Sequence, residues 1–216
     1  MEILHSFKDR SKVEKIRFKN NRVYVSFSYG DLILHPETYS KNGIEVGNIY
    51  SKSELNDIRK EDDLKMIIEY TTKLEEDRLF TEFQIREKVF KKFKSFPYHT
   101  IKEGMKILKD SSLIDDQDYC QEYYEIMSRK NYGWNRIIED LFNKKFADGK
   151  AIESLAYDKE YELQKAQSYF DGIKEKYEKL DALTIYKKIY NQLVSRGFKI
   201  DIVNEVLANN NVNLVF

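Results

Sequence analysis

The chain repeats itself. Ile85 and Val89 return 52 residues later as Ile137 and Leu141, and 52 later again as Ile189 and Leu193. At the same spacing Phe146 pairs with Phe198 and Leu155 with Leu207, and NKKF (143–146) falls against SRGF (195–198). The first unit offers the looser KKFKSF (91–96), and Ile67 and Leu74 precede Tyr119 and Ile126 by the same interval. Apolar residues four apart lie on one face of a helix, so the repeating object is helical. A unit of about 50 residues buries little alone, and tandem copies extend the core by stacking. The spacing predicts three tandem three-helix units over residues 51–112, 113–157 and 158–216.

Composition agrees with a helical body. Eight glycines and two prolines in 216 residues are few for a protein built of many strands and turns. Hydrophobic residues make up 41% and aromatic residues 14%, enough for a core. Residues 1–50 differ from the rest. VEKIRF, RVYVSFSY and DLILH are short β-branched and aromatic runs, separated by Asn20-Asn21 and Tyr29-Gly30, where positive φ is tolerated. Pro36 and Asn42-Gly43 continue the turn chemistry, and GIEVGNIY offers one more strand, so a small β-meander is expected here. The predicted fold is mainly α with a small N-terminal β-rich extension.

Within the first helical unit Ser53 reads as the cap of a helix that puts Leu64, Ile67, Ile68, Thr71 and Leu74 on one face. Thr81-Glu82 opens a second helix with Ile85, Val89 and Phe93, Pro97 ends it, and Ile101, Met105 and Leu108 mark a third. Phe90, Phe93, Phe142, Phe146, Tyr186, Tyr190 and Phe198 lie at helical spacing and read as core. The single tryptophan, Trp134, aligns with Glu82 and Tyr186 at the repeat spacing. A site that also holds glutamate points to half-exposure, which leaves a partner contact and a packing role both open.

Chemistry-bearing clusters are scarce. His5, His35 and His99 are isolated, and no second His or Cys stands near any of them at ligand spacing. The glycines are scattered, not gathered into a phosphate-cradling loop. Asp115, Asp116 and Asp118 precede a helix and read as N-caps rather than as a metal loop. No metal and no cofactor are expected, and an enzyme is the least supported reading. Cys120 has no partner for a disulfide, which suits a reducing compartment. The start MEILHSFKDRSK lacks the apolar core of a signal peptide, and no run of about 18 apolar residues occurs. A cytoplasmic chain without a membrane span is expected.

Charge is balanced overall, 37 Lys+Arg against 37 Asp+Glu, so only its distribution is informative. Residues 1–30 hold seven Lys/Arg against three Asp/Glu, and residues 82–110 hold eight against four. Arg86 and Lys91 in the first unit, Arg136, Lys144 and Lys145 in the second, and Lys188 and Arg196 in the third would form a basic stripe. With Trp134 they are the candidate partner contacts.

Several short motifs then fall in one order: Leu113-Ile114-Asp115-Asp116 with Tyr119, Gly133 with Arg136-Ile137, Lys144-Lys145-Phe146, and Arg196-Gly197-Phe198. In this order and spacing the chain resembles the RecX family over roughly residues 60–212, and its β-rich start resembles the extension of Gram-positive members. Two positions depart from the family pattern: Thr81-Glu82 replaces a serine-glutamate pair, and Lys145 stands where glycine is more usual. The resemblance implies a curved, cofactor-free array that binds the RecA recombinase or its filament on DNA. Such proteins restrain its ATPase, strand exchange and coprotease work by groove binding or capping. A monomer is expected, with weak direct DNA binding left open. Two rival readings stay open: a sequence-nonspecific DNA-binding helical protein, and a generic helical scaffold for another partner.

Overall fold

The computed structural model describes residues 9–76 and 78–212; His5 lies outside the described residues. The chain divides into two compact units, Met1–Arg78 with Ile85–Leu113, and Leu79–Gln84 with Ile114–Phe216.

The first unit opens with a four-stranded antiparallel sheet. Strands β1 (Arg10–Lys19), β2 (Arg22–Phe27), β3 (Gly30–Leu34) and β4 (Ile49–Ser51) are ordered β3-β2-β1-β4. Asn20 and Asn21 both take positive φ (50° and 55°), the two-residue turn that matches strand twist. A bulge between Val13 and Lys15 shifts the β1–β2 register. The expected third turn is instead a short helix, α1 (Pro36–Lys41), with His35 capping the Glu37 amide and Pro at its start. Of GIEVGNIY, only Ile49 and Tyr50 join β4.

The sheet does not close its own core. Val13, Val23, Val25, Phe27, Leu32 and Leu34 pack with Ile44 and with Leu55 and Ile58 of the long helix α2 (Lys52–Glu75). That helix is capped by Ser51, not Ser53: Ser51 Oγ accepts from Glu54 N while Glu54 reaches back to Ser51 N, a capping box. Farther along α2, Ile67 meets Gly104 of α4 (Tyr98–Asp110), where a Cβ would lie 3.1 Å from the isoleucine side chain. Helix α3 (Glu82–Lys92) buries Ile85 and Val89, and Phe93 just beyond it is buried too.

Asp63 is an unusual occupant of α2. It is 7% exposed, and burial pushes its carboxyl up to about 6, with Arg59 opposing and Asp62 adding to the rise. Folding therefore favours the protonated acid. That contribution is complete below the ordinary value of 3.8 and is lost as pH rises through about 6. Asp63→Asn is expected to raise stability at pH 7.5 by roughly 2 kcal/mol and to leave it nearly unchanged at pH 3.5. Urea unfolding at the two pH values checks this; equal effects at both would refute it.

The second unit is helical. Helices α5 (Asp116–Arg129), α6 (Trp134–Asp140), α7 (Gly149–Glu153), α8 (Lys159–Ile173), α9 (Ala182–Ser195) and α10 (Ile200–Asn209) follow in order. Asp115, Asp148, Asp158 and Asp181 each cap a helix with a carboxylate, as their positions require. One apolar cluster joins Tyr119, Cys120, Ile137, Leu141, Ala147, Ala151, Ile152 and Leu155. A second joins Ala166, Phe170, Ile173, Ile189, Leu193, Phe198, Ile202, Val203, Val206 and Leu207.

One expectation about the core fails for a clear reason. Phe142 and Phe146 are not core; they are 64% and 53% exposed. Residues Leu141–Lys145 form a π-helical turn, which adds one residue after α6. Ala147 N donates to Leu141 O where Phe198 N donates to Leu193 O, so the spacing drops from 52 to 51 past the turn. Ala147 takes the buried place of Phe198, and Phe146 takes the left-handed place of Gly197, with φ of 53° and 89°. Phe146 rests at 4.6 Å on Phe83 instead. Among the other aromatics of that set, Phe93 and Phe198 are buried, while Phe90, Tyr186 and Tyr190 are half-buried.

Candidate partner-binding surface

Two joints within the second unit share one construction. Gly133 N donates to Arg196 O (2.9 Å) and Asn135 N to Gly197 O (3.0 Å), which seats the Arg196-Gly197-Phe198 turn on the start of α6. The approach is so close that a Cβ on Gly133 would meet main-chain atoms of Gly197 and Phe198 at 2.3 Å. In the other joint Thr81 Oγ1 donates to Lys145 O (2.9 Å), placing the π turn on the start of α3. A carboxylate from the next helix closes each joint. Asp116 accepts from Glu82 N (2.7 Å) and Asp148 N (2.6 Å); Glu162 accepts from Trp134 N (2.6 Å). Each carboxylate satisfies a helix-start amide that lacks a partner in its own helix.

These joints absorb several of the candidate contacts. Trp134 is half-buried and packs edge-on to Tyr124 (5.8 Å) and Tyr157 (5.2 Å). The Arg196 guanidinium lies between the rings of Tyr132 and Tyr169, 4.2 and 4.6 Å from their centroids. Arg136 and Lys144 converge on Asp140, itself 4% exposed, at 3.3 and 2.7 Å from Oδ1. Both contacts are ionic and lie off hydrogen-bonding geometry. The other oxygen of Asp140 accepts from Tyr123 Oη at 3.3 Å. Burial and then Asp140 push the Tyr123 phenol up to about 12. Lys145 Nζ stands 5.3 Å above that ring. Lys188 on α9 keeps its Nζ 5.9 Å from the Tyr177 ring and remains exposed. Arg86 and Lys91 are exposed residues of α3 in the first unit.

Cys120 is no nucleophile here. It is fully buried, and burial, followed by Asp116, Asp148 and Asp115, pushes its thiol up to about 12. Among the described residues no group of His, Cys, Asp and Glu is arranged to hold a metal ion, and no helix is long and apolar enough to cross a membrane.

The fold has counterparts in known proteins. A regulatory protein RecX from Clostridium perfringens is 26% identical over 201 residues, spanning 91% of this chain and 92% of the relative. One from Clostridioides difficile is 28% identical over 202 residues, spanning 91% and 93%. A crystal structure of regulatory protein RecX superposes with a TM-score of 0.72 at 16% identity, covering 92% of this chain and 99% of that one. Over nine-tenths of its length the chain is similar to RecX proteins. RecX from Lactobacillus salivarius gives a TM-score of 0.64 at 21% identity, over 70% of this chain and 99% of that one. No family model matches the chain.

The RecX motifs noted in the sequence now have physical jobs. Asp115 caps α5 and Asp116 caps other helices; Tyr119 is core; Gly133 and Gly197 make the close backbone contact. Sequence reasoning missed Glu162 and Lys165, which form an ion pair at 2.7 Å with side chains 1% and 3% exposed. Their three-residue spacing on a charged helix is that of an ordinary surface pair, so nothing local signals burial.

Proposed function

We propose that this RecX-like protein binds RecA, alone or as a filament on DNA, and restrains its ATPase, strand exchange and coprotease work by groove binding or by capping. The observation that carries the reading is a match over 91% of the chain to proteins named regulatory protein RecX. Three tandem three-helix repeats over residues 51–112, 113–157 and 158–216, following the extension 1–50, form the binding body. In support, the helices fall into the triplets α2–α4, α5–α7 and α8–α10, and two joints share one construction. The protein acts in the cytoplasm as a monomeric binding protein, not as an enzyme. Asp115, Asp116, Asp140 and Glu162 are occupied by amides and cations, which suits structural roles.

The contact set narrows to exposed groups and the half-buried Lys145. Lys91, Lys144, Lys145 and Lys188, with Phe142 and Phe146 beside the π turn, present cations and apolar surface to a partner. Trp134, Arg136 and Arg196 act behind them by holding the joints. Titration into RecA-catalysed, single-strand-dependent ATP hydrolysis tests the reading. Inhibition well below one protein per RecA is expected for capping; unchanged hydrolysis at equimolar protein would overturn the proposal. Phe142→Ser and, separately, Lys91→Glu should each raise the inhibitory concentration about 5–10-fold, as for interface groups of moderate weight. Full potency in both variants removes them from the contact set. Inhibition that persists when DNA is saturating excludes DNA binding alone as the cause.

A further inference from the structure

The outer face of the N-terminal sheet is not used by any of the above. Along β1 the side chains of Ser11 and Val13 turn inward, and the bulge at Val13/Lys15 keeps the following alternation in phase. The other face is basic on both sides of the bulge, with Arg10 and Lys12 before it and Lys15, Arg17 and Lys19 after it, all exposed. Alternate residues of a strand stand roughly 6.6–6.8 Å apart, so Lys15, Arg17 and Lys19 form an evenly spaced row that Lys12 and Arg10 continue beyond the bulge. A surface without a partner ordinarily mixes both signs. Here the described carboxylates nearby include Asp9 beside Arg10, Glu14 in the bulge and Asp31 two strands away, while Arg10 feels Glu54. Among the described residues, Lys12, Lys15, Arg17 and Lys19 have no carboxylate at ion-pairing distance. Arg22, by contrast, turns toward the buried Asp62 at 3.9 Å.

The cations frame an apolar platform. Arg17 pairs across to Tyr24, and Tyr24 to Ile33, which is 51% exposed; Lys12 pairs across to Ile49, 58% exposed. A row of carboxylates would satisfy the lysines and leave the tyrosine unused. A polynucleotide strand supplies both an evenly spaced row of anions and bases to lie on an aromatic ring.

We propose that this face binds a single-stranded polynucleotide, with Lys12, Lys15, Arg17 and Lys19 on phosphates and Tyr24 beneath a base. The site is separate from the RecA reading and is tested without RecA.

The test is fluorescence anisotropy of a labelled oligothymidylate of about 30 nucleotides, long enough for one such surface, titrated with the full chain at several salt concentrations. Four phosphate contacts predict a log–log salt slope near −3, at about 0.7 per contact for single strands. Lys15→Thr, Arg17→Thr and Lys19→Thr together should weaken binding at least tenfold at low salt and reduce the slope by about 2. Tyr24→Val should weaken binding about fivefold or more with the slope unchanged. Thr and Val keep strand propensity, and an unchanged urea midpoint certifies the fold. If the triple variant does not fold, photo-crosslinking of the wild-type chain to 4-thiothymidine-containing oligonucleotide decides. Adducts within residues 10–34 support the site, and adducts confined to the helices overturn it. Unchanged affinity and slope in a folded triple variant, or polyglutamate competing as well as oligothymidylate of equal charge, also overturns it.

Discussion

Lys165→Met is expected to lower the unfolding free energy by about 3–5 kcal/mol, the usual result of stranding one member of a buried ion pair. Lys165 Nζ lies 2.7 Å from Glu162 Oε2 and donates to Ser128 Oγ (3.3 Å) and Tyr132 O (3.2 Å). It also stands 5.3 and 5.2 Å from the Tyr124 and Tyr161 ring centroids. Methionine fills much of the volume but supplies no charge and no donor. Glu162 would then keep a carboxylate in a site 1% exposed, with the Trp134 amide as its remaining hydrogen-bond donor. The double variant Glu162→Gln with Lys165→Met removes both charges and keeps an oxygen for that amide. It should recover most of the loss, because a neutral pair of similar shape avoids the desolvation cost. Urea unfolding followed by the fluorescence of Trp134, the single tryptophan, reports on the site directly. A Lys165→Met variant within about 1 kcal/mol of wild type would show that the pair contributes no more than a surface one.

Gly133→Ala should be nearly as costly, on the order of 3 kcal/mol, by overpacking rather than by charge. The added methyl would lie 2.3 Å from Gly197 C and Phe198 N. Both obstacles are main chain, so no rotamer change relieves the clash, and the turn must lift from α6. Lifting it breaks the bonds from Gly133 N to Arg196 O and from Asn135 N to Gly197 O. Gly197→Ala meets the same fate from the other side, at 2.3 Å from Arg136 Cβ and with φ of 89°. Gly172→Ala is the internal control. It is an exposed residue of α8 with nothing within 4 Å of the new Cβ. There alanine should stabilise by about 0.5–1 kcal/mol. Thermal unfolding together with amide exchange at Asn135 separates the two cases. A Gly133→Ala protein as stable as the Gly172→Ala protein would mean that the joint tolerates separation.

Much of the helical layout is legible from residue spacing, because the cause is local. Ile137, Leu141, Ile189 and Leu193 are buried as the repeat demands, and the aspartate caps sit where aspartate before an apolar run belongs. The turn Asn20-Asn21 reads correctly for the same reason: its conformation is a property of two residues. Legibility ends at one inserted residue. The π turn at Leu141–Lys145 leaves no mark in NKKF, which looks like SRGF, yet it moves Phe146 out of the buried place that Phe198 keeps in its own unit. The candidate contacts show the same limit. Trp134, Arg136 and Arg196 carry the right chemistry for a surface, and only the structure shows that they also engage Tyr157, Asp140 and Tyr132.

Sequence by itself therefore determined the helical period, the β-rich start, most caps and the RecX resemblance, all of which depend on neighbours within a few positions or on motif order. Tertiary structure alone decided which charges are buried and which aromatics are bare. Glu162 and Lys165 are spaced like any solvated pair, and only Ser128, Tyr132 and Trp134, about 30 positions away, remove them from water. The row of cations on β1 is the converse case. Its residues stand in the sequence beside Ser11, Val13 and Ile16, and only the sheet register gathers them on one face.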